Sequence, residues 1–510
     1  MVDIRPLMRI SALLIALVTV PAALVAQGTR SVTVSAAPAP AGFGGKWSPR
    51  PPRDGAVRVG PVRGTVIVVG GGAMGPEIYQ AFIDAAGGPD ALILDVPNAG
   101  GLDSLPANVG RGWREAGARN VAPLFTRDRA VAEGTTFTAP IDRAGGIWFE
   151  GGRQFHLVQD YGGTRTERAI DAVLARGGVI GGSSAGASIL GDFMVRGAPS
   201  NDNSVMDYPG YERGFGYLRN VGIDQHVVAR SRLPDLADSI ITRYPALLAI
   251  SADEGTAWVI RGDTGRIVGR NKAFVYHGTT TDAGAPFLTL YPGDRYDLNA
   301  RRVIARAADR SPVPPAMLDA MFARYTDAAA GSATVLVARD GDVFVDRAYG
   351  VPAQPRFMPR TTLPLFDLGD IAGVFSALCA QLPERPARRP GSPDASARQE
   401  CVTRVSAPIG MHQTLADSTA IRSNVDELYR LSLGLESAAS YRGADPARGW
   451  TVDRFHGATR YTASYDSEGR RAAFMRVPER HAAVIILTND DRADARGMAE
   501  QLLGRLIPER

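Results

Sequence analysis

Lysine is nearly absent from this chain. Among 510 residues only Lys46 and Lys272 carry a side-chain amine, and every other basic side chain is arginine. No chemistry that needs a lysine can therefore lie beyond residue 272. Blocks of basic residues interleaved with aromatics are missing too, and acidic and basic residues are interspersed, which argues against nucleic acid as a partner despite a net charge of +4. Cysteine is equally scarce. Cys379 and Cys401 have no metal-ligand spacing and the six histidines are scattered, so neither a metal nor a cofactor is expected. The two cysteines flank a polar, proline-rich segment over residues 383–398; in an oxidising compartment they would close it as a disulfide, with two buried thiols as the alternative. Long apolar runs are lacking except at residues 10–25, which follow Arg5 and Arg9 and end in small residues before Gln27. That pattern predicts a secretory signal peptide over 1–26, and hence a periplasmic or secreted protein with no stable membrane insertion after cleavage. An uncleaved anchor is the alternative, although the run is slightly short to span a bilayer.

A chain of 510 residues is long enough for two or more domains. Residues 27–60 are rich in Pro and Gly and predict a linker. From residue 61 to 308, apolar runs ending in glycine alternate with helical spacing: 65–69 before Gly70-Gly71-Gly72, a helix over 76–86, a strand over 91–95, a helix over 112–119, strands over 121–125 and 146–149, and a helix over 164–176. A further helix over 233–244 and a strand over 247–251 follow. This alternation predicts an α/β domain with a largely parallel sheet, its loops gathered at the carboxyl ends of the strands. Residues 309–315 form a second predicted linker, and residues 316–510 change pattern to a hairpin signal around Asp340-Gly341 and a late strand and helix, an α+β domain.

The richest stretch is Gly182-Ser183-Ser184-Ala185-Gly186, a Gly-x-Ser-x-Gly directly after the apolar approach Val179-Ile180. A strand ending in such a turn can expose one hydroxyl at a helix N-terminus, where backbone N–H groups face a developing oxyanion. A plain Gly/Ser turn is the competing reading. Three other segments could cooperate with Ser184: Asp224-Gln225-His226 with Arg230 and Arg232, Asp253-Glu254 after the strand over 247–251, and Gly151-Gly152-Arg153-Gln154 after the strand over 147–149. Serine needs a base to take its proton, and the base needs a third group to fix its tautomer. Taken singly, each segment also fits a surface histidine, a solvated cap or a solvated face.

Together these segments, with Gly70-Gly71-Gly72 and Asp253-Glu254-x-Thr256-Ala257, resemble the cyanophycinase-like branch of the S51 serine peptidases, which also includes aspartyl dipeptidase. The resemblance spans about residues 62–276 and implies a flavodoxin-like fold of the class I glutamine amidotransferase type. It implies Ser184 as nucleophile, His226 as general base and then acid, and Glu254 as orienting carboxylate. Backbone N–H groups of Ala185 and of the Gly71-Gly72 turn would form the oxyanion hole. Gln154, Asp224, Gln225, Arg230 and Arg232 match substrate-contacting positions, and the arginines suit an acidic peptide as partner. A rival assignment in the α/β-hydrolase order would use His277 as the base and give an esterase. Two positions depart from the family pattern: Arg153 stands where an aspartate is usual, and Asp235 where a third arginine is expected. Reversed charge at a subsite points away from cyanophycin and toward another acidic or isoaspartyl peptide.

The C-terminal part resembles serine β-lactamase-like and penicillin-binding proteins through residues 334–341, Phe366-Asp367-Leu368-Gly369, His456-Gly457 and residues 484–489. That chemistry needs Ser-x-x-Lys, and the corresponding residues are Asp370-Ile371-Ala372-Gly373. The resemblance thus implies a degenerate module without catalysis of its own, serving packing, substrate binding or assembly, a homodimer included. A peptide- or cell-wall-fragment-binding pseudo-peptidase is the alternative function for the whole chain.

Overall fold

A computed structural model of the chain describes residues 38–44, 46–49, 59–200, 202–277, 286–326, 331–350, 365–382, 395–437, 441, 443–467 and 469–509. The expected signal peptide and most of the expected linker over 27–60 lie outside the described residues.

The apolar runs that end in glycine become parallel strands. β1 (Thr65–Val69), β2 (Ile93–Val96), β3 (Val121–Pro123), β4 (Gly146–Phe149) and β5 (Val179–Ser183) pair in the order β1-β5-β4-β2-β3, all parallel. β1 is buried along its whole length, with Val66 and Val68 in one core and Ile67 and Val69 in the other, as period-two alternation in a doubly covered sheet requires. A second sheet starts with β6 (Gly191–Phe193), β7 (Leu218–Gln225) and β8 (Leu248–Ala252), again parallel.

Parallel pairing stops there, which narrows the expected largely parallel sheet. β9 (Thr256–Arg261) and β10 (Thr264–Gly269) are joined by Gly262-Asp263, a connection too short for anything but an antiparallel hairpin, and they extend the first sheet beyond β1. β11 (Ala273–Tyr276) and β12 (Leu288–Leu290) extend the second sheet antiparallel to β8, and β13 (Arg295–Asp297) with β14 (Arg302–Ala305) closes the edge of the first. Part of the expected N-terminal linker is docked on this body: Phe43 and Trp47 are buried, Phe43 edge-on to Phe215 and Trp47 edge-on to Phe193.

The C-terminal part has the α+β arrangement its pattern predicts. β15 (Ala333–Arg339) and β16 (Asp342–Tyr349) form the expected hairpin. β17 (Phe366–Asp367), β18 (Leu415–Ala416) and β19 (Ile421–Ser423) make a small separate sheet. β20 (Thr451–Phe455), β21 (Ala458–Ser467), β22 (Arg470–Val477) and β23 (Ala482–Thr488) complete an antiparallel sheet in the order β16-β15-β23-β22-β21-β20. The helix Ala495–Leu506 covers one face, and the helices Ala372–Cys379 and Val425–Ser437 cover the other. Asp370 to Gly373 occupy a tight turn and the start of the helix Ala372–Cys379. Cys379 and Cys401, on adjacent helices, are free thiols, the second of the two readings the sequence leaves open. Their sulfurs have other partners, the Phe375 carbonyl for Cys401 and the Arg404 guanidinium for Cys379, both at 3.8 Å. Burial and the adjacent Cys379 push the Cys401 thiol up to about 12.

The segment over 309–315 is not a free tether. Val313 is buried, Arg310 pairs with Asp342 at 2.7 Å, and a helix begins at Pro315. Lys272, at the start of β11, is buried between Asp346 (2.7 Å) and Asp426 (2.8 Å) of the C-terminal part.

Candidate active site

Ser184 occupies the turn that β5 makes into the short helix Ala185–Ser188. Its backbone has φ 57 and ψ −117, a conformation that costs a non-glycine residue about 1–3 kcal/mol and persists only where surroundings enforce it. The two motif glycines are part of that enforcement. A Cβ on Gly182 would stand 2.1 Å from the Gly186 carbonyl oxygen, and one on Gly186 would stand 2.0 Å from that of Phe149. The turn thus packs backbone on backbone and lifts the Ser184 side chain clear of the sheet.

His226 and Glu254 arrive from the other sheet. His226 follows β7 with φ 55, and its N–H donates to the Gly70 carbonyl at 2.8 Å, tying the end of β7 to the end of β1. The Ser184 hydroxyl lies 2.9 Å from Nε2 of His226, and Nδ1 of the same ring is hydrogen-bonded to Oε1 of Glu254. A carboxylate only accepts, so the ring proton belongs on Nδ1 and Nε2 is left to accept from serine. Burial alone would raise the Glu254 carboxyl, but hydrogen bonds from His226 and His412 hold it well below the usual carboxylate range. A hydroxyl on a ring so oriented is the arrangement by which serine becomes a nucleophile.

The Gly71-Gly72 turn lies against these two groups. A Cβ on Gly71 would meet the His226 ring at 2.2 Å, and one on Gly72 would meet Oε2 of Glu254 at 2.6 Å. Among the described residues the N–H groups of Gly71, Gly72 and Ala185 donate no hydrogen bond, so they remain available to an oxyanion. A cavity of about 340 Å³ adjoins the serine turn, lined by Gly72, Tyr79, Trp113, Glu115, Glu150 and Ser183. Asp95 is fully buried, and burial and then the neighbouring Glu150 push its carboxyl well above the usual carboxylate range.

The expected substrate-contacting residues divide. The side-chain amide of Gln154 is buried and its nitrogen donates to the carbonyls of Val195 (2.5 Å) and Arg196 (2.9 Å). Asp224 is likewise engaged: Arg196 Nε and Nη2 grip its two oxygens at 2.9 Å each. Arg196 also holds Asp235 at 2.6 Å, so the carboxylate found in place of an expected arginine has its own counter-ion. Gln225 receives Arg232 on its backbone and side-chain oxygens at 3.4 Å. Arg232 is buried, and burial together with the Arg196 charge pushes it down to about 10. Arg230 is exposed and forms no ion pair among the described residues. Arg153 donates to the carbonyls of Ala198 and Asp202, at 3.2 and 3.0 Å.

The rival base fails on direction. β11 runs antiparallel to β8, with Ala273 beside Ala252 and Tyr276 beside Ala249, so His277 emerges at the end of the sheet away from Glu254. Asp253, next to the orienting carboxylate, accepts the N–H groups of Val228 (3.1 Å) and Ala229 (3.0 Å) and holds the chain that follows His226.

The C-terminal part reaches this site. Nε2 of His412 is hydrogen-bonded to Oε2 of Glu254, and Arg430 Nη2 lies 3.2 Å from Asp253 Oδ2. Neither residue was legible as a site residue in the sequence, because each lies more than one hundred and fifty positions from its partner, 158 and 177 respectively.

The family model described as peptidase family S51 matches residues 66–268. A cyanophycinase of Synechococcus elongatus is 32% identical over 222 residues, covering 42% of this chain and 68% of that protein. A cyanophycinase of Geminocystis herdmanii (strain PCC 6308) is 31% identical over 210 residues, covering 40% of this chain and 76% of that protein. Among solved structures, a peptidase from an acI-B1 Actinobacterium is similar at a TM-score of 0.37 and 24% identity, over 46% of this chain and 97% of that one. With two thirds or more of each relative matched at this identity, the chain belongs to peptidase family S51.

Proposed function

We propose that this protein is an exported serine peptidase that hydrolyses an amide beside an aspartyl or β-aspartyl residue through an acyl-enzyme. The observation that carries the reading is the unbroken hydrogen-bond chain from Ser184 through His226 to Glu254. Ser184 Oγ attacks the scissile carbonyl as its proton passes to Nε2 of His226, and Glu254 stabilises the imidazolium. The oxyanion is received by the N–H groups of Ala185 and of the Gly71-Gly72 turn, each contributing about 3 kcal/mol to the transition state. His226 returns the proton to the leaving amine, and a water activated by the same ring releases the acyl group.

Exposed Arg230, and Arg232, whose side-chain hydrogen bonds among the described residues go to the neutral Gln225, support an acidic group on the substrate. The relatives are cyanophycinases. Asp235, paired with Arg196 where an arginine was expected, favours a different acidic or isoaspartyl peptide. Export rests on the sequence of residues 1–26. The test is a panel of acidic and isoaspartyl peptides offered to the wild type and to Ser184→Ala. Turnover by the wild type alone is expected; equal turnover by both would refute the mechanism, and binding without turnover would make the chain a peptide-binding pseudo-peptidase.

A further inference from the structure

A carboxylate that orients a histidine needs only one of its oxygens for the task. Glu254 uses both: Oε1 holds His226, and Oε2 is held by His412, which lies between the turn Ala407–Ile409 and β18. We propose that His412 is a positioning residue of the peptidase site, so that residues 316–510 complete the catalytic carboxylate instead of merely packing beside it. The inference rests on the reading of Ser184, His226 and Glu254 as the catalytic triad.

The segment that presents His412 is fixed at several points. Buried Arg430 donates from Nη1 to the Gly410 carbonyl (2.8 Å) and to Glu427 (2.7 Å), and from Nη2 to Asp253 (3.2 Å). Glu427 in turn accepts the N–H groups of Gln413 (3.0 Å) and Thr414 (3.1 Å), the two residues after His412. Arg270, from the peptidase part, reaches the Ile409 carbonyl at 3.4 Å. Gly410 has φ +70, and a Cβ there would be in ordinary van der Waals contact, 3.8 Å, with Oε2 of Glu254. Asp253 and Glu254, adjacent in sequence, are therefore both gripped by the C-terminal part. A residue whose own support is hydrogen-bonded in this way delivers its donor at a set place, as a positioning group must.

Two consequences follow. Without the His412 N–H, Oε2 of Glu254 loses a donor at the exposed edge of the site, the carboxylate is freer to turn, and the His226 ring loses its fixed aim at Ser184. The second consequence is electrostatic. The groups facing His412 are Glu254 across the boundary, Glu427 and Arg430 on the helix Val425–Ser437, and His226 beyond the shared carboxylate. The hydrogen bond to Glu254 raises the His412 pKa, burial opposes it, and the charges of Glu254 and Glu427 outweigh that of Arg430. A protonated His412 draws on the same negative charge that would stabilise a protonated His226, so removing it makes His226 the stronger base.

The test measures the rate at which a fluorophosphonate labels Ser184 in the full chain as a function of pH, which needs no knowledge of the substrate. His412→Ala should slow the limiting rate about tenfold, the loss of one hydrogen bond to a charged group, and move the acid limb up by about half a unit, the effect of one like charge removed across a carboxylate. His412→Gln keeps an N–H donor without a charge. It should recover most of the limiting rate while its acid limb stays where that of the alanine variant lies. If His412→Ala labels at the wild-type rate with the wild-type limb, the inference is overturned. Equal impairment of both variants with an unmoved limb overturns it as well, because that is the mark of lost packing. If wild-type Ser184 does not label, or Ser184→Ala labels equally well, the triad reading falls first and takes this inference with it.

Discussion

Replacing Arg196 by methionine removes one cation and leaves two carboxylates without it. The Arg196 side chain is 2% exposed and that of Asp224 is fully buried, whereas Asp235 keeps 33% of its surface in water. The main cost therefore falls on Asp224, which loses two bonds of 2.9 Å and retains only the N–H of Gln225. Breaking a buried, hydrogen-bonded ion pair from one side costs about 3–5 kcal/mol. Methionine restores part of the packing of the arginine stem, so the expected loss at pH 8 is about 3 kcal/mol. The deficit must also depend on pH. In the variant, burial raises the Asp224 pKa above its unfolded value, so between the two values the folded state binds more protons than the unfolded one. Stability then falls as pH rises through that window, by up to about 1.4 kcal/mol per pH unit, and the deficit relative to wild type is smaller at pH 5 than at pH 8. Urea unfolding of both proteins at the two pH values measures it, and Arg196→Met with Asp224→Asn should regain much of the loss. A deficit below about 1 kcal/mol at both pH values, or one that ignores pH, would refute this account of how the Asp224-Gln225-His226 segment is held.

Two further outcomes are expected. Gly71→Ala forces a methyl into the His226 ring from a backbone with φ +98, and should reduce fluorophosphonate labelling of Ser184 by about a hundredfold, the cost of displacing a catalytic group by about an ångström. Glu254 has a folded-state pKa below its unfolded one, so its contribution to stability is present above the unfolded value and is lost as pH falls toward the folded one. Melting temperatures recorded from pH 6 down to pH 3 should therefore fall more steeply for the wild type than for Glu254→Gln.

The chemistry was legible where it is local. Ser184 and Glu254 each stand immediately after, or within two residues of, an apolar run that becomes a strand, and parallel strands bring such ends to one edge. The Gly182 and Gly186 spacing was readable for the same reason, since close approach of backbones demands glycine within a few positions. His226 follows the mixed strand Leu218–Gln225 and was legible through its Asp-Gln-His cluster and the family resemblance. Arg196 was not. It is one arginine in a chain whose cations are almost all arginine, and nothing nearby says that it will meet Asp224 and Asp235. The bonds that fix Gln154 were not legible either, because an amide five residues beyond a strand gives no sign that its nitrogen will meet the carbonyls of Val195 and Arg196. The helix expected over 233–244 contracts to the π-helical segment Leu236–Ile241. His412 was hidden by the proline-rich change of composition over 309–315. Such a change marks where a chain alters its pattern, and it carries no information on whether the surfaces on either side bond to each other.

Lys272 has a consequence for the outside of the molecule. Burial alone would lower its pKa, but Asp346 and Asp426 raise it well above the usual lysine range, and the ammonium is closed off from solvent. An acylating or reductive-alkylating reagent thus meets one side-chain amine among the described residues, the exposed Lys46. Coupling through amines would attach a dye, a bead or a surface at Lys46 or at the chain's α-amine, both remote in sequence from residues 184, 226 and 254. Apart from histidines such as His481, the other basic side chains turned to the surroundings among the described residues are guanidinium groups, which keep their charge far into alkaline solution and offer anions a flat fork in place of a point charge.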